Sequence, residues 1–224
     1  MNKNPLIIVI GAYGSGKSEY SINLAKKMKK AGKDKVSLAD LDVVNPYFRS
    51  RDAQELLEKE GIDVIAPESS YGTADLPMIS PRVRGAINDL NKTVILDVGG
   101  DPTGCKTLGR FEEEIKNREY EMILVVNTKR PFTSSAQEIF EMKSMLEKIS
   151  RLKISEIVCN ANLMEFTDIK LIEEGIAIVQ EVAKKENLIF RTYLVMNDIE
   201  NKYHEQFEGV KKMNLEYFLN KPWE

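Results

Sequence analysis

Histidine is almost absent from this chain. His204 is the sole example in 224 residues, and no histidine-based metal centre can be built from one imidazole. Cysteine is nearly as scarce. Cys105 and Cys159 are too few for a disulfide framework and suit a reducing compartment. No apolar stretch approaches the ~20 residues needed to cross a bilayer. The run Leu6-Ile7-Ile8-Val9-Ile10 is too short for a signal-peptide core and ends in a glycine-rich turn. Positive charge is not in excess either: the formal net charge is -3, which argues against a dedicated nucleic-acid binder. The lysines at 26, 27, 29, 30, 33 and 35 fall on and just after a helical pattern and read as its solvated face. No repeat, linker or low-complexity tract divides the chain, so a single domain over 1–224 is expected, cytoplasmic and without nucleic-acid or membrane partners.

What is present begins at Gly11. The stretch Gly11-Ala12-Tyr13-Gly14-Ser15-Gly16-Lys17-Ser18 fits G-x-x-x-x-G-K-[ST], with an apolar strand before it and a helical pattern from about Glu19 to Ala31 after it. Glycines let the backbone curl until successive N–H groups point at phosphate oxygens. Lys17 then offers a mobile charge to the β- and γ-phosphates, and the Ser18 hydroxyl offers a ligand to Mg²⁺. Gly11 through Ser18, with Glu19 at the helix start, are the candidate nucleotide contacts.

Short strands and helices alternate along the rest of the chain. Strands are expected over 36–39, 62–65, 93–97, 122–126, 156–159 and 188–195, and helices over 54–59, 83–90, 134–149 and up to 186, the last capped by Thr167. Residues 67–81 read as a long loop, 98–104 as a glycine-bearing loop, and the remainder to Leu219 as helical. This alternation predicts an α/β fold: a three-layer, doubly wound, mostly parallel sheet with helices on both faces. Ligands of such sheets sit at the carboxyl ends of the strands.

The candidate acids fall at those ends. Asp40 and Asp42 are two apart, so extended backbone would aim both the same way. They face a γ-phosphate with its Mg²⁺ and water, or they form an Asx-type turn before Asn45-Pro46. Asp97 closes an apolar strand and is the natural carboxylate for Mg²⁺. Asp101 either positions the hydrolytic water or is a turn residue before Pro102. Asn160 ends the strand over 156–159, where an asparagine serves as a turn former. Two loops, Asn45 to Asp52 with Tyr47, Phe48 and Arg49, and Ser69 to Asp75, are candidate partner or substrate contacts.

The glycine loop, Leu38-Ala39-Asp40-Leu41-Asp42, Asp97-Val98-Gly99-Gly100-Asp101 and Val158-Cys159-Asn160 together resemble the MinD/ParA-type P-loop ATPases. That superfamily includes the nitrogenase iron protein, arsenical-pump ATPases, CobQ/CobB-type enzymes and signal-recognition GTPases. The resemblance extends to about Asp198. It implies ATP and Mg²⁺ as ligands, with Lys17 on the phosphates and Ser18, Asp40 and Asp97 at the metal. It also implies that Asp42 or Asp101 handles the water and that Asn160 reads adenine. The second lysine by which the partition ATPases dimerise is missing from Gly11-Ala12-Tyr13, so a homodimer formed that way is not expected. The guanine-reading motif is missing too, since Asn127-Thr128-Lys129-Arg130 ends in Pro131. The reading is an ATPase that switches an unidentified client protein. Two rivals stand beside it: a dethiobiotin-synthetase-like kinase or ligase with Arg82 and Arg84 in its acceptor pocket, and a nucleotide-bound adaptor.

Overall fold

The computed structural model describes residues 4–42, 53–66, 79–196, 207 and 209–219. One eight-stranded sheet organises them. Its strands are β1 (Leu6–Ile10), β2 (Val36–Asp40), β3 (Ile62–Ile65), β4 (Thr93–Asp97), β5 (Tyr120–Val126), β6 (Glu156–Cys159), β7 (Ile189–Met196) and β8 (Lys211–Leu215). They lie in the order β3-β2-β4-β1-β5-β6-β7-β8, and each neighbouring pair is parallel. The helices are α1 (Lys17–Lys30), α2 (Gln54–Lys59), α3 (Arg82–Asn88), α4 (Pro102–Gly109), α5 (Glu112–Lys116), α6 (Ala136–Ser150) and α7 (Ile169–Glu186).

The period-2 geometry of the central strands divides the apolar residues between two cores. Leu6, Ile8 and Ile10 of β1 pack with Val83, Leu108, Ile139 and Ile176 from α3, α4, α6 and α7. Ile7 and Val9 point the other way, to Tyr20, Ile22 and Ala25 of α1 and Leu57 of α2. The sheet is therefore covered on both faces, as the alternation predicts. β1 lies between β4 and β5, where the strand order reverses direction, and its carboxyl end carries Gly11. The glycine turn thus sits at the switch point of the sheet, where a crevice opens between diverging connections.

Three local expectations are corrected. Residues 98–104 are not all loop: α4 starts at Pro102, because the Asp101 carboxylate caps it by accepting from the Thr103 and Gly104 N–H groups at 2.7 and 3.1 Å and Pro102 occupies a position that needs no donor. The cap of α7 is Asp168, whose Oδ1 accepts from Leu171 N at 2.8 Å; Thr167 instead accepts from Leu163 N. The C-terminal remainder is not helical where it is described. Lys211–Leu215 adds a parallel edge strand against β7, with Met213 and Leu215 turned into the α1 core and Lys211 and Lys212 exposed. Charged residues on an edge strand oppose pairing with another chain. Among the described residues no helix is long and apolar enough to cross a membrane.

Candidate functional site

The chain leaves β1 at Gly11 and enters α1 at Lys17 through a turn closed by Ser15 N donating to Ala12 O at 3.0 Å. Gly16 is the pivot, with φ of 84°. A side chain there would be strained, and its Cβ would also collide with Asn160 Nδ2. Gly16 offers no side-chain acceptor to the first turn of α1. The amide donors and positive dipole end of that helix therefore face the crevice, an arrangement suited to an anion. Asn160, at the end of β6, donates through Nδ2 to Ser15 O at 2.7 Å, while its buried Oδ1 has no hydrogen-bond partner.

Lys17 is buried, and its Nζ lies 2.9 Å from Asp42 Oδ2. Burial opposes the ammonium charge, but Asp97, Asp42 and Asp40 outweigh it and hold the pKa above the ordinary lysine value. Asp40 and Asp97 are partners on adjacent strands. Asp40 Oδ1 accepts from Asp42 N at 3.0 Å. The Asx-type alternative is what the chain adopts: this bond from Asp40 turns it so that Asp42 meets the lysine. Asp97 is fully buried, and burial pushes its carboxyl up to about 6, with Asp42 adding to the rise and Lys17, Ser18 and Ser21 opposing it. Its Oδ2 is without a hydrogen-bond partner. Three carboxylates share one lysine.

The loop after β4 closes the other wall. Gly100 packs so tightly on the backbone of Gly11 and Ala12 that no Cβ fits. Beside it, a Cβ on Gly99 would lie 3.1 Å from Asp42 Oδ1 and 3.2 Å from Asp101 Oδ2. The two candidate water-handling carboxylates thus converge on one glycine, although Asp101 is also a helix cap.

One contact of the glycine turn escapes sequence reasoning, and two candidates named from the sequence turn away from the crevice. Asn127, the residue after β5, donates to Gly14 O at 3.4 Å and to Asn162 O at 2.9 Å, and its Oδ1 accepts from Lys129 N and Asn162 N. It ties the glycine turn to the loop after β6. Glu19 is held by the C-terminal segment: Phe218 N and Leu219 N donate to its carboxylate at 2.9–3.1 Å. Asn23 pairs reciprocally with the Glu216 backbone. Burial nonetheless raises the Glu19 carboxyl to about 7. The glycine-loop residue Tyr13 projects outward, 65% exposed.

Other candidates are elsewhere. Arg82 pairs with Asp63 and Arg84 with Glu114. Cys105 and Cys159 are both buried, which raises their thiols to about 11 and about 12. Tyr47, Phe48, Arg49, the Ser69 to Asp75 loop and His204 lie outside the described residues.

No group of three or more His, Cys, Asp or Glu side chains among the described residues is set to hold a metal alone. The chemistry of the crevice fits Mg²⁺ on different grounds. That ion retains waters and takes substrate phosphates plus one or two protein oxygens, and Asp97, with Ser18 against it and one oxygen without a partner, offers such a pair.

No protein-family model matches the chain, and no curated protein does. Solved structures match in fold. The cell division protein FtsY of Thermotoga maritima aligns at TM-score 0.59 and 18% identity, over 87% of this chain and 62% of its own. FtsY of Mycoplasma mycoides aligns at 0.55 and 18%, over 85% and 59%. A nucleotide-binding protein of Archaeoglobus fulgidus in complex with ADP aligns at 0.53 and 16%, over 88% and 84%. The chain spans about three fifths of the length of these FtsY proteins. The fold is that of the P-loop nucleotide-binding proteins.

Proposed function

We propose that this protein binds Mg²⁺ and ATP at the Gly11–Ser18 turn, hydrolyses the nucleotide slowly and uses the change to switch a partner protein. The observation that carries the reading is the buried Lys17–Asp42 pair at 2.9 Å, set at an uncapped helix start. An ammonium already charged and already dehydrated loses little when it exchanges a carboxylate for a phosphate oxygen. Asp42 is then released toward Gly99, where it or Asp101 orients a water. Oxygen–phosphorus bond formation accompanies cleavage of the bond to the bridging oxygen, and the proton passes to that carboxylate. Bound Mg²⁺, on Ser18 and Asp97 with Asp40 beside them, would supply charge neutralisation across the β- and γ-phosphates. The Gly99-Gly100 loop, packed on Gly11 and Ala12, is the element whose position such a phosphate would bias.

Adenine is favoured because Asn160 has an amide oxygen without a partner, able to accept from an exocyclic amine, and because the guanine motif is broken at Pro131. The ADP complex of the Archaeoglobus neighbour points the same way. A protein client is favoured by exposed aromatic residues on the loops around the crevice: Phe132 at 73% and Phe166 at 77%, with Tyr13. The kinase reading is weakened because Arg82 and Arg84 are engaged in ion pairs. Calorimetry with Mg²⁺ tests the reading on wild type and Lys17→Ala, with phosphate release followed in the same samples. Tight ATP binding, about 100-fold weaker in the variant, with slow release supports it. Tighter GTP binding overturns the Asn160 assignment, and no nucleotide binding overturns the whole.

A further inference from the structure

The chain's turn after β5 holds a cation that the phosphate trap has not yet used. Arg130 N donates to Asn127 O at 3.1 Å, and Thr133 Oγ1 donates to both Asn127 O and Arg130 O, at 2.8 and 3.3 Å. Asn127 in turn is bonded to Gly14 and Asn162. The backbone of Arg130 is therefore fixed relative to the glycine turn. Its side chain lies on that turn: a Cβ on Gly14 would come within 2.9 Å of Arg130 Nε and 3.3 Å of its Cδ and Cζ. Glycine at position 14 is what admits the guanidinium.

Among the described residues nothing answers the charge of that group. Nε is buried and has no hydrogen-bond partner, and no carboxylate among the described residues pairs with the guanidinium. Its neighbour Lys129 is different, with Nζ 2.8 Å from Glu174 Oε2 on α7. A half-buried guanidinium without an anion is unfavourable, since desolvation is incurred with nothing in return. Across the turn, Lys17 is shared among Asp40, Asp42 and Asp97, so much of its charge is already answered within the protein. A second cation makes up that shortfall. The planar fork of arginine suits two phosphate oxygens at once, which a lysine cannot match.

We propose that Arg130 is a phosphate-binding residue of this site, a cation supplied in cis that contacts the nucleotide's polyphosphate beside Lys17. The assignment rests on the nucleotide reading above. Lys17 answers the buried acids and the phosphates in alternation, and Arg130 answers the phosphates alone.

The test is Mg²⁺-ATP calorimetry at several salt concentrations on wild type, Arg130→Met, which keeps an apolar stem on Gly14, and Arg130→Lys. Arg130→Met should weaken ATP about tenfold, and Arg130→Lys should recover part of the loss. The dependence of log Kd on log salt should be shallower in the Met variant. A packing role would not flatten it. Thermal unfolding of the nucleotide-free Met variant should match or exceed wild type, because no protein group loses a partner. Wild-type affinity and salt slope in Arg130→Met would overturn the assignment while leaving the nucleotide reading intact, and so would an apo protein destabilised in proportion to its lost affinity. Wild type that takes up no ATP would bring down both.

Discussion

The two ends of the sheet each bury a cation, and they treat it in opposite ways. At the amino end, Arg118 lies just before β5 and is almost fully buried. Its NH1 donates to Ala86 O, Ile87 O and Asp89 O and its NH2 to Asn4 O and Lys92 O, at 2.6–3.4 Å. Those carbonyls come from the end of α3, the turn after it and the approach to β1. One charge is spread over neutral dipoles, and carbonyls that the end of a helix would leave unpaired gain a donor. At the carboxyl end, Lys17 meets three carboxylates, and Ser15 Oγ, Asp97 Oδ2, Asn160 Oδ1 and Arg130 Nε have no hydrogen-bond partner. Buried polar atoms are normally paired. The amino end is a structural joint in which the chain itself answers the guanidinium through its two terminal nitrogens, leaving Arg118 Nε and Thr93 Oγ1 over, whereas at the carboxyl end the unpartnered atoms gather about one crevice. The second pattern is the one that the proposed nucleotide reading would put to use.

Substitution should break the comparison in both directions. Arg118→Met carries the largest expected effect: removing the donor strands several buried carbonyls together, and unfolding stability should fall by about 3 kcal/mol, read as a lower urea midpoint. Nucleotide affinity of the folded variant should be unchanged. Stability preserved in this variant would show the amino end to be as loosely built as the site. At the carboxyl end the sign reverses. The Asp97 carboxyl titrates at about 6 in the folded protein, above its ordinary value of 3.8. The folded state thus binds that proton more tightly than the unfolded one, and stability falls as pH rises from about 4 to about 6. At pH 7 the unfavourable charge is fully present. Asp97→Asn should therefore raise the stability of the nucleotide-free protein at pH 7 by about 1–2 kcal/mol and flatten its melting temperature between pH 4 and 6, while abolishing hydrolysis. A destabilised Asp97→Asn would mean that the lysine needs all three acids.

How much of this was legible depends on how local each signal is. The glycine turn reads directly because Gly11 to Ser18 carry its whole geometry, and β1 and β4 read from unbroken apolar runs. α4 was obscured because Gly99, Gly100 and Gly104 suggest a loop, although Asp101-Pro102 is itself a helix-start signal. β8 was obscured because Lys211-Lys212-Met213-Asn214-Leu215 is a short edge strand whose apolar side is defined only by α1. Asn127 could not be found locally at all. Its partner Gly14 is 113 residues away, and an asparagine after a strand has many uses. The same holds for Arg130, whose neighbours in sequence suggested a failed base motif.

Glu19 sharpens the comparison most finely, because it combines both kinds of end. It follows Lys17 and Ser18, yet its carboxylate is satisfied by backbone donors from Phe218 and Leu219, as Arg118 is by backbone acceptors. Burial outweighs those donors, and its carboxyl titrates at about 7 against an ordinary 4.5. The stability it contributes therefore declines as pH rises from about 4.5 to 7. Glu19→Gln keeps one acceptor oxygen and removes the charge, so relief of burial and loss of charge assistance nearly cancel at pH 7, leaving a change under about 1 kcal/mol. The local readout is larger than the global one. With a weaker acceptor, the amides of Phe218 and Leu219 should exchange with solvent about tenfold faster, and the stability slope between pH 4.5 and 7 should diminish. Unaltered exchange would mean that β8 and the Asn23–Glu216 pair hold the C-terminal segment without Glu19, and that the first turn of α1 is not coupled to it.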